Sequence, residues 1–380
     1  MANSKRIDES LGLEPYPLVD LRSDLGEALI GGRERERELV LKSIEAVETV
    51  IRLRAKDKNN IGRGDHAKSL GCYDAKFTVS GPDVVRVEDR AGIAKPENLG
   101  KTFEAVVRFS NSEPKDVSDY RSVTMGLAIK VRLDGAKHLK EEFLFDGGEE
   151  QDFIAGGLET FVARSIEDYA DLFQLRIHPI LNAAAIGLRH PKAFTVFGIE
   201  PKLRVTSSAA PMVLEKPFWS LLPYAWGDVA VKFRFDPLHP FDRSKANFSK
   251  SDRDYQTKVV TEFLESNEIC YVMKVQARPR ARSDDERMLI DRTFPIEDAM
   301  VQWPEAAGAG NLLSAKFHEV ARVKIERRSK PRDAHDCERL AFNPWNGLKA
   351  HQPLGSLSRA RLAVYKKSEL VRKKLDKATE

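Results

Sequence analysis

Cysteine is scarce in this chain: Cys72, Cys270 and Cys337 lie far apart, and no CxxC spacing occurs. So odd and scattered a set predicts neither a disulfide framework nor a zinc site, and buried small hydrophobes account for it better. Long apolar runs are missing too. The longest, PILNAAAIGL, is about half of the ~20 residues a membrane helix needs, so no membrane span is expected. The opening MANSKRIDESLGLEPYPLVD has no apolar core behind its basic residues, which speaks against a secretory leader. Neither sign of charge is in excess: 62 Lys and Arg against 58 Asp and Glu give +4, so no nucleic-acid partner is expected. The basic tail KKSELVRKKLDK is explained by a solvated helix. Repeats and low-complexity tracts are absent. What remains is a soluble, cytoplasmic protein, and 380 residues suffice to bury a sizeable core.

From Arg33 to about Lys56, apolar Val40, Ile44, Val47 and Ile51 recur at helical spacing. From about Ala75 the texture changes to short runs rich in β-branched and aromatic residues: AKFTVSG, EAVVRFSN, GLAIKVRL, DVAVKFRF, CYVMKVQARP and EVARVKIERR. Several alternate apolar with polar residues, as half-buried antiparallel strands do. A helical interruption falls between roughly Ile166 and Lys202. Three parts follow: an N-terminal helical arm (1–60), a β region with a helical insertion (61–330) and a C-terminal segment of little strand character (331–380). The pattern predicts an α+β barrel or sandwich with helices.

Candidate chemistry begins with RARLAVY, where Arg361 and Tyr365 lie four apart and would share a helix face. A surface Arg–Tyr pair looks the same, so the pattern acquires meaning only beside a pocket. A Tyr can ligate ferric haem iron through its phenolate oxygen. A phenol with an ordinary pKa of about 10 needs a cation nearby to stay ionised, and Arg cannot lose its proton. In RGDHAKSLGCYDAKFTVSG, Arg63 and His66 lead into the first strand; AVVRFSN sets Arg108, Phe109 and Ser110 in succession. The histidines at 178, 190 and 239 fit turns and caps, NFS at Asn247 fits a glycosylation pattern without a role in the cytoplasm, and the AGAGN stretch at 307–311 lacks the strand of a dinucleotide loop. NADPH is therefore not expected.

In order with IEDAMVQWPE (296–305) and RLAVYKKSELVR (361–372), these stretches resemble the haem catalase superfamily, and most of all its short, catalase-related peroxidase branch, over roughly residues 60–375. The ordered set RxxHAK, VRFS, EDAxVxWPE and RxxxYxxxxxxR carries the resemblance. It implies an eight-stranded antiparallel β-barrel with flanking helices and a buried haem b. The proximal ligand helix would then lie in 331–380, with Tyr365 as the iron ligand and Arg361 as the cation beside it. His66 corresponds to the distal acid/base and Ser110 to the residue that orients its imidazole, on which the choice of proton-carrying nitrogen depends. Arg63, Arg108 and Arg372 correspond to the guanidiniums that hold the propionates. Phe161 falls at a distal aromatic and Tyr169 at the ring that stacks on the porphyrin.

Departures from that pattern bear on the reaction. The distal Asn expected of a true catalase falls at Gly156, which predicts open space and a missing amide donor; Gln151 and Glu159 are other polar side chains near that position. Asp65 replaces the usual Val and could bond to the imidazole or point away. Met125–Gly126 stands for an Arg-Gly pair, and Lys366 for the Pro after the Tyr. The resemblance with these departures implies a peroxidase acting on organic or lipid hydroperoxides, with weak activity on hydrogen peroxide. A fatty-acid hydroperoxide isomerase, an ordinary catalase and a non-enzymatic haem-binding protein are the alternatives. An organic electron donor and a homo-oligomer stay open.

Overall fold

A computed structural model describes residues 19–55, 63–81, 90–113, 117–121, 124–133, 143–145, 148–177, 188, 212–239, 241–245, 249, 252–306 and 313–377. His178, His190, Asn247, 307–311 and most of the expected helical stretch after Ile177 lie outside these residues.

Nine strands form one antiparallel sheet: β1 (Lys68–Val79), β2 (Thr102–Asn111), β3 (Met125–Arg132), β4 (Glu150–Gly156), β5 (Phe218–Trp219), β6 (Tyr224–Trp226), β7 (Val229–Pro237), β8 (Ile269–Ala277) and β9 (Phe317–Ile325). Their order is β5-β4-β3-β2-β1-β9-β8-β7-β6, and a further β5–β7 pairing closes the sheet. Every strand but β6 belongs to the closed ring, which is the expected eight-stranded antiparallel barrel; β6 pairs beside β5 along the same edge of β7. Alternation sends one face of each strand inward. Phe77 and Phe153 stack inside with centroids 5.8 Å apart, and Phe233 meets Phe153 edge-on at 5.6 Å. Aromatic rings therefore fill the barrel, leaving its outer wall for chemistry.

Six helices accompany the barrel among the described residues: α1 (Gly32–Arg54), α2 (Ile166–Ile177), α3 (Tyr255–Ser266), α4 (Asp284–Thr293), α5 (Ala334–Arg339) and α6 (Ser356–Lys377). The expected stripe of Val40, Ile44, Val47 and Ile51 is buried on α1, in a second apolar cluster with Ile166 of α2 and Ala360, Ala363 and Val364 of α6. The N-terminal arm thus packs on its own chain. No helix among the described residues is long and apolar enough to cross a membrane.

A buried ion cluster fixes the start of α6. Arg359, 2% exposed, donates from Nε to Glu36 at 2.7 Å, from Nη1 to Glu27 at 2.5 Å and from Nη2 to the Ala28 carbonyl at 2.8 Å. The IEDAMVQWPE motif completes this anchorage: Glu297 accepts from the Ser356 amide at 2.7 Å at the first turn of α6. Ala299 pairs with the segment before α2, accepting from the Phe161 amide at 3.1 Å and donating to the Arg164 carbonyl at 2.9 Å.

The cysteine expectation is corrected. Cys72 on β1 and Cys337 on α5 form a disulfide, and Cys270 alone is free. The two partners are 265 residues apart, so spacing could not reveal a pairing that exists only because α5 packs on β1.

Candidate active site

Strands β2, β3 and β4 turn small or basic residues away from the aromatic interior. Arg108 and Ser110, Gly126 and Ala128, and Ile154 and Gly156 face a cavity of about 1060 Å³, its mouth included, between the barrel wall and α6. All nine residues singled out in the sequence line it: Arg63, His66, Arg108, Ser110, Phe161, Tyr169, Arg361, Tyr365 and Arg372. Gln151 and Glu159 do not. Gln151 is buried elsewhere, accepting from the Leu348 amide at 2.9 Å.

His66 stands on the barrel side of the cavity. Its φ of 46° lies in the left-handed region, which costs a non-glycine residue about 1–3 kcal/mol and persists only where the surroundings impose it. Two bonds impose it here: Arg108 Nη2 donates to the His66 carbonyl at 3.1 Å, and the His66 amide donates to Asp65 Oδ1 at 3.0 Å. Asp65, exposed at the mouth, thus takes up the backbone of its neighbour. The loop is seated from below by α1, where Arg54 Nη1 donates to the Arg63 and Gly64 carbonyls at 3.1 Å, and Gly64 approaches so closely that a Cβ would lie 2.6 Å from Val47.

Gly126 is the seat of the imidazole. A Cβ there would stand 2.7 Å from His66 Nδ1 and 2.7 Å from Ser110 Oγ, so ring and hydroxyl meet over one bare glycine. The hydroxyl donates to the Gly126 carbonyl at a long 3.4 Å. In the sequence Gly126 figured only as half of a departure; its closeness to His66 depends on strand pairing. Gly156 behaves differently from expectation. The room before it is not open: Leu221 Cδ1 lies 3.1 Å from where its Cβ would be.

Across the cavity, α6 aligns Arg361, Tyr365, Ser368, Glu369 and Arg372 on one stripe by its 3.6-residue period. Arg361 is buried, and its Nη2 donates to the Tyr365 hydroxyl at 3.0 Å. Burial depresses the Arg361 pKa, but the phenols of Tyr365, Tyr224 and Tyr169 outweigh it and hold the guanidinium above its ordinary value. Tyr224 was not foreseen. Burial pushes its pKa up to about 12 against the pull of the Arg361 guanidinium beside it. Phe161 and Tyr169 lie together, ring centroids 5.9 Å apart.

Three guanidiniums close one end. Arg63 Nη2 donates to the Leu340 carbonyl at 2.6 Å and Arg372 Nη1 to the Glu338 carbonyl at 2.7 Å, while Arg108 holds His66. Burial lowers all three pKa values, to about 9 for Arg108 and Arg372, where the charge of Arg63 adds to the effect. Glu338 offsets part of this repulsion, its carboxylate 3.6 Å from Arg63 Nε. The Nε atoms of Arg108 and Arg372 are nonetheless buried without a hydrogen bond among the described residues. Donors so placed suit the carboxylates of a buried anionic group.

A closed eight-stranded antiparallel barrel with this arrangement of helices is the catalase fold. Solved structures of the same fold include a fungal catalase (TM-score 0.60, 17% identity, 82% of this chain and 59% of that one) and a bacterial catalase (0.59, 15%, 95% and 64%). Catalase A from Saccharomyces cerevisiae is a third (0.58, 15%, 82% and 61%). This chain therefore spans only 59–64% of the length of those proteins. No family model and no curated protein sequence matches it.

Proposed function

We propose that the cavity holds haem b with Tyr365 as its iron ligand, and that the protein is a peroxidase of organic hydroperoxides with weak activity on hydrogen peroxide. The carrying observation is the convergence of nine dispersed residues on one cavity with three guanidiniums at one end, of which Arg108 and Arg372 keep a buried donor in reserve. Bound there, haem would supply the redox-active iron at which a peroxide O–O bond is broken.

The chain's own residues have definable tasks. Arg63, Arg108 and Arg372 would take the propionates, and Tyr169 and Phe161 would pack on the macrocycle. Arg361 donates to the oxygen of Tyr365 and favours negative charge there. His66 would accept the hydroperoxide proton on its imidazole and return it to the departing oxygen, with Gly126 and Ser110 fixing the ring. The neighbour of Gly126 that could have carried a polar group is a glycine covered by leucine, so no side-chain amide stands at that position to hold a second hydrogen peroxide.

The test is the visible absorption of protein expressed with ample haem, beside Tyr365→Phe. A high-spin ferric spectrum that changes or vanishes in the variant supports the reading; a colourless protein refutes it. Turnover of cumene hydroperoxide that needs a phenolic donor, with little oxygen from hydrogen peroxide, supports the peroxidase. Turnover of a lipid hydroperoxide without donor would instead indicate an isomerase, and undiminished peroxide reactivity in His66→Ala a mere haem-binding protein.

A further inference from the structure

We infer that Leu221 sets the size of the hydroperoxide substituent that can approach His66, an inference that rests on the function proposed above. Gly126 and Gly156 are direct partners in the β3–β4 register, so their missing side chains would point to the same face. His66 sits over Gly126; Leu221 sits over Gly156, with Cδ1 at 3.1 Å and Cγ at 3.6 Å from the Cβ position. Partners across an antiparallel pair are about 5 Å apart, so the isobutyl group flanks the imidazole one strand over.

The backbone holds this side chain in place at a cost. Leu221 has φ 65°, a left-handed value rare for a residue other than glycine. The turn between β5 and β6 is pinned by its neighbour Ser220, whose hydroxyl donates to the Leu222 carbonyl at 2.9 Å and accepts from the Phe233 amide at 3.2 Å. Glycine would suit the angle, yet the chain carries a branched apolar group there. On its other side Leu221 borders only a water-sized recess lined by Glu159, Lys232, Gln302 and Glu305, so it forms a closed end of the cavity. An apolar wall beside the acid/base accepts the carbon of an alkyl hydroperoxide, offers hydrogen peroxide no polar contact, and limits how far a substituent can extend past Gly156.

The test uses the full chain loaded with ferric haem and titrated with imidazole and with 4-phenylimidazole, followed by the Soret shift. Leu221→Ala should improve binding of 4-phenylimidazole relative to imidazole by about tenfold or more, and Leu221→Phe should worsen it. A ratio unchanged within about twofold in both variants, while imidazole still shifts the band, would overturn the role of Leu221 and leave haem binding standing; absence of any Soret band would overturn both. A haem-free measurement checks the local geometry. Leu221→Gly should melt above Leu221→Ala, since glycine takes the left-handed angle without strain, and the reverse order would refute an imposed conformation.

Discussion

Adding one methyl group at Gly126 should disable the site without disturbing the proximal side. The new Cβ would lie 2.7 Å from both His66 Nδ1 and Ser110 Oγ and 3.0 Å from His66 Cε1. Ordinary contact begins near 3.4 Å, so the ring must withdraw by about 0.7 Å (3.4 − 2.7). Retreat is resisted by the bonds that hold the His66 backbone, and overpacking of this kind costs about 1–3 kcal/mol. A misplacement of about 1 Å can cost roughly a hundredfold in rate, so Gly126→Ala should slow reaction with hydroperoxide by roughly 10–100-fold. Arg361 and Tyr365 stand on α6, away from this contact, so the haem content should stay unchanged. Stopped-flow absorbance of the haem-loaded variant measures the rate, and the unmixed spectrum the content. An unaltered rate would refute Gly126 as the seat of the imidazole; loss of haem at an unaltered melting temperature would refute the assignment of the two sides.

Other expectations concern stability. His351 is buried, accepting from the Ile93 amide at 3.1 Å, and burial with the charge of Lys95 lowers its pKa to about 3. Between that value and the ordinary 6.5 the unfolded chain binds a proton that the folded chain refuses, so this residue makes stability fall as pH drops. Denaturant melts at pH 7 and pH 4 should therefore differ by about 3 kcal/mol less in His351→Gln than in the parent, and an equal difference would count against it. Thiol alkylation in denaturant should find one cysteine before reduction and three after; Cys72→Ala should cost about 2–5 kcal/mol, and three free thiols at the outset would exclude the bridge. Arg359→Met leaves Glu27 and Glu36 buried without their cation, which should cost about 3–5 kcal/mol in a thermal melt; a loss below about 1 kcal/mol would show that water reaches the cluster.

Much of the fold was legible because periodicity is local. The six β-branched runs fall on β1, β2, β3, β7, β8 and β9, and the Val40–Ile51 stripe is the buried face of α1. Strand β4 escaped notice because GEEQDFIAGG carries acids and glycines, and β5 and β6 are too short for a period. Helix α4 was hidden by its charge-rich surface. The residues lining the cavity were legible through ordered motifs. Gly126 under the imidazole, Leu221 over Gly156, Tyr224 beside Arg361 and the Cys72–Cys337 bridge were not, since each depends on contacts between distant segments that leave no local pattern.

The anchorage of α6 also has a consequence in time. Arg359 needs Glu27 and Glu36, and the apolar face of α1 needs Ala360, Ala363 and Val364, yet α1 ends at Arg54 and α6 begins at Ser356. At about 5–20 residues per second, the 301 residues between them (355 − 54) take a ribosome roughly 15–60 s. Throughout that interval α1 exists without α6, its stripe open to chaperones or to other nascent chains. Helix α6 both covers that stripe and walls one side of the cavity, so the shelter of α1 and the pocket are completed in one event.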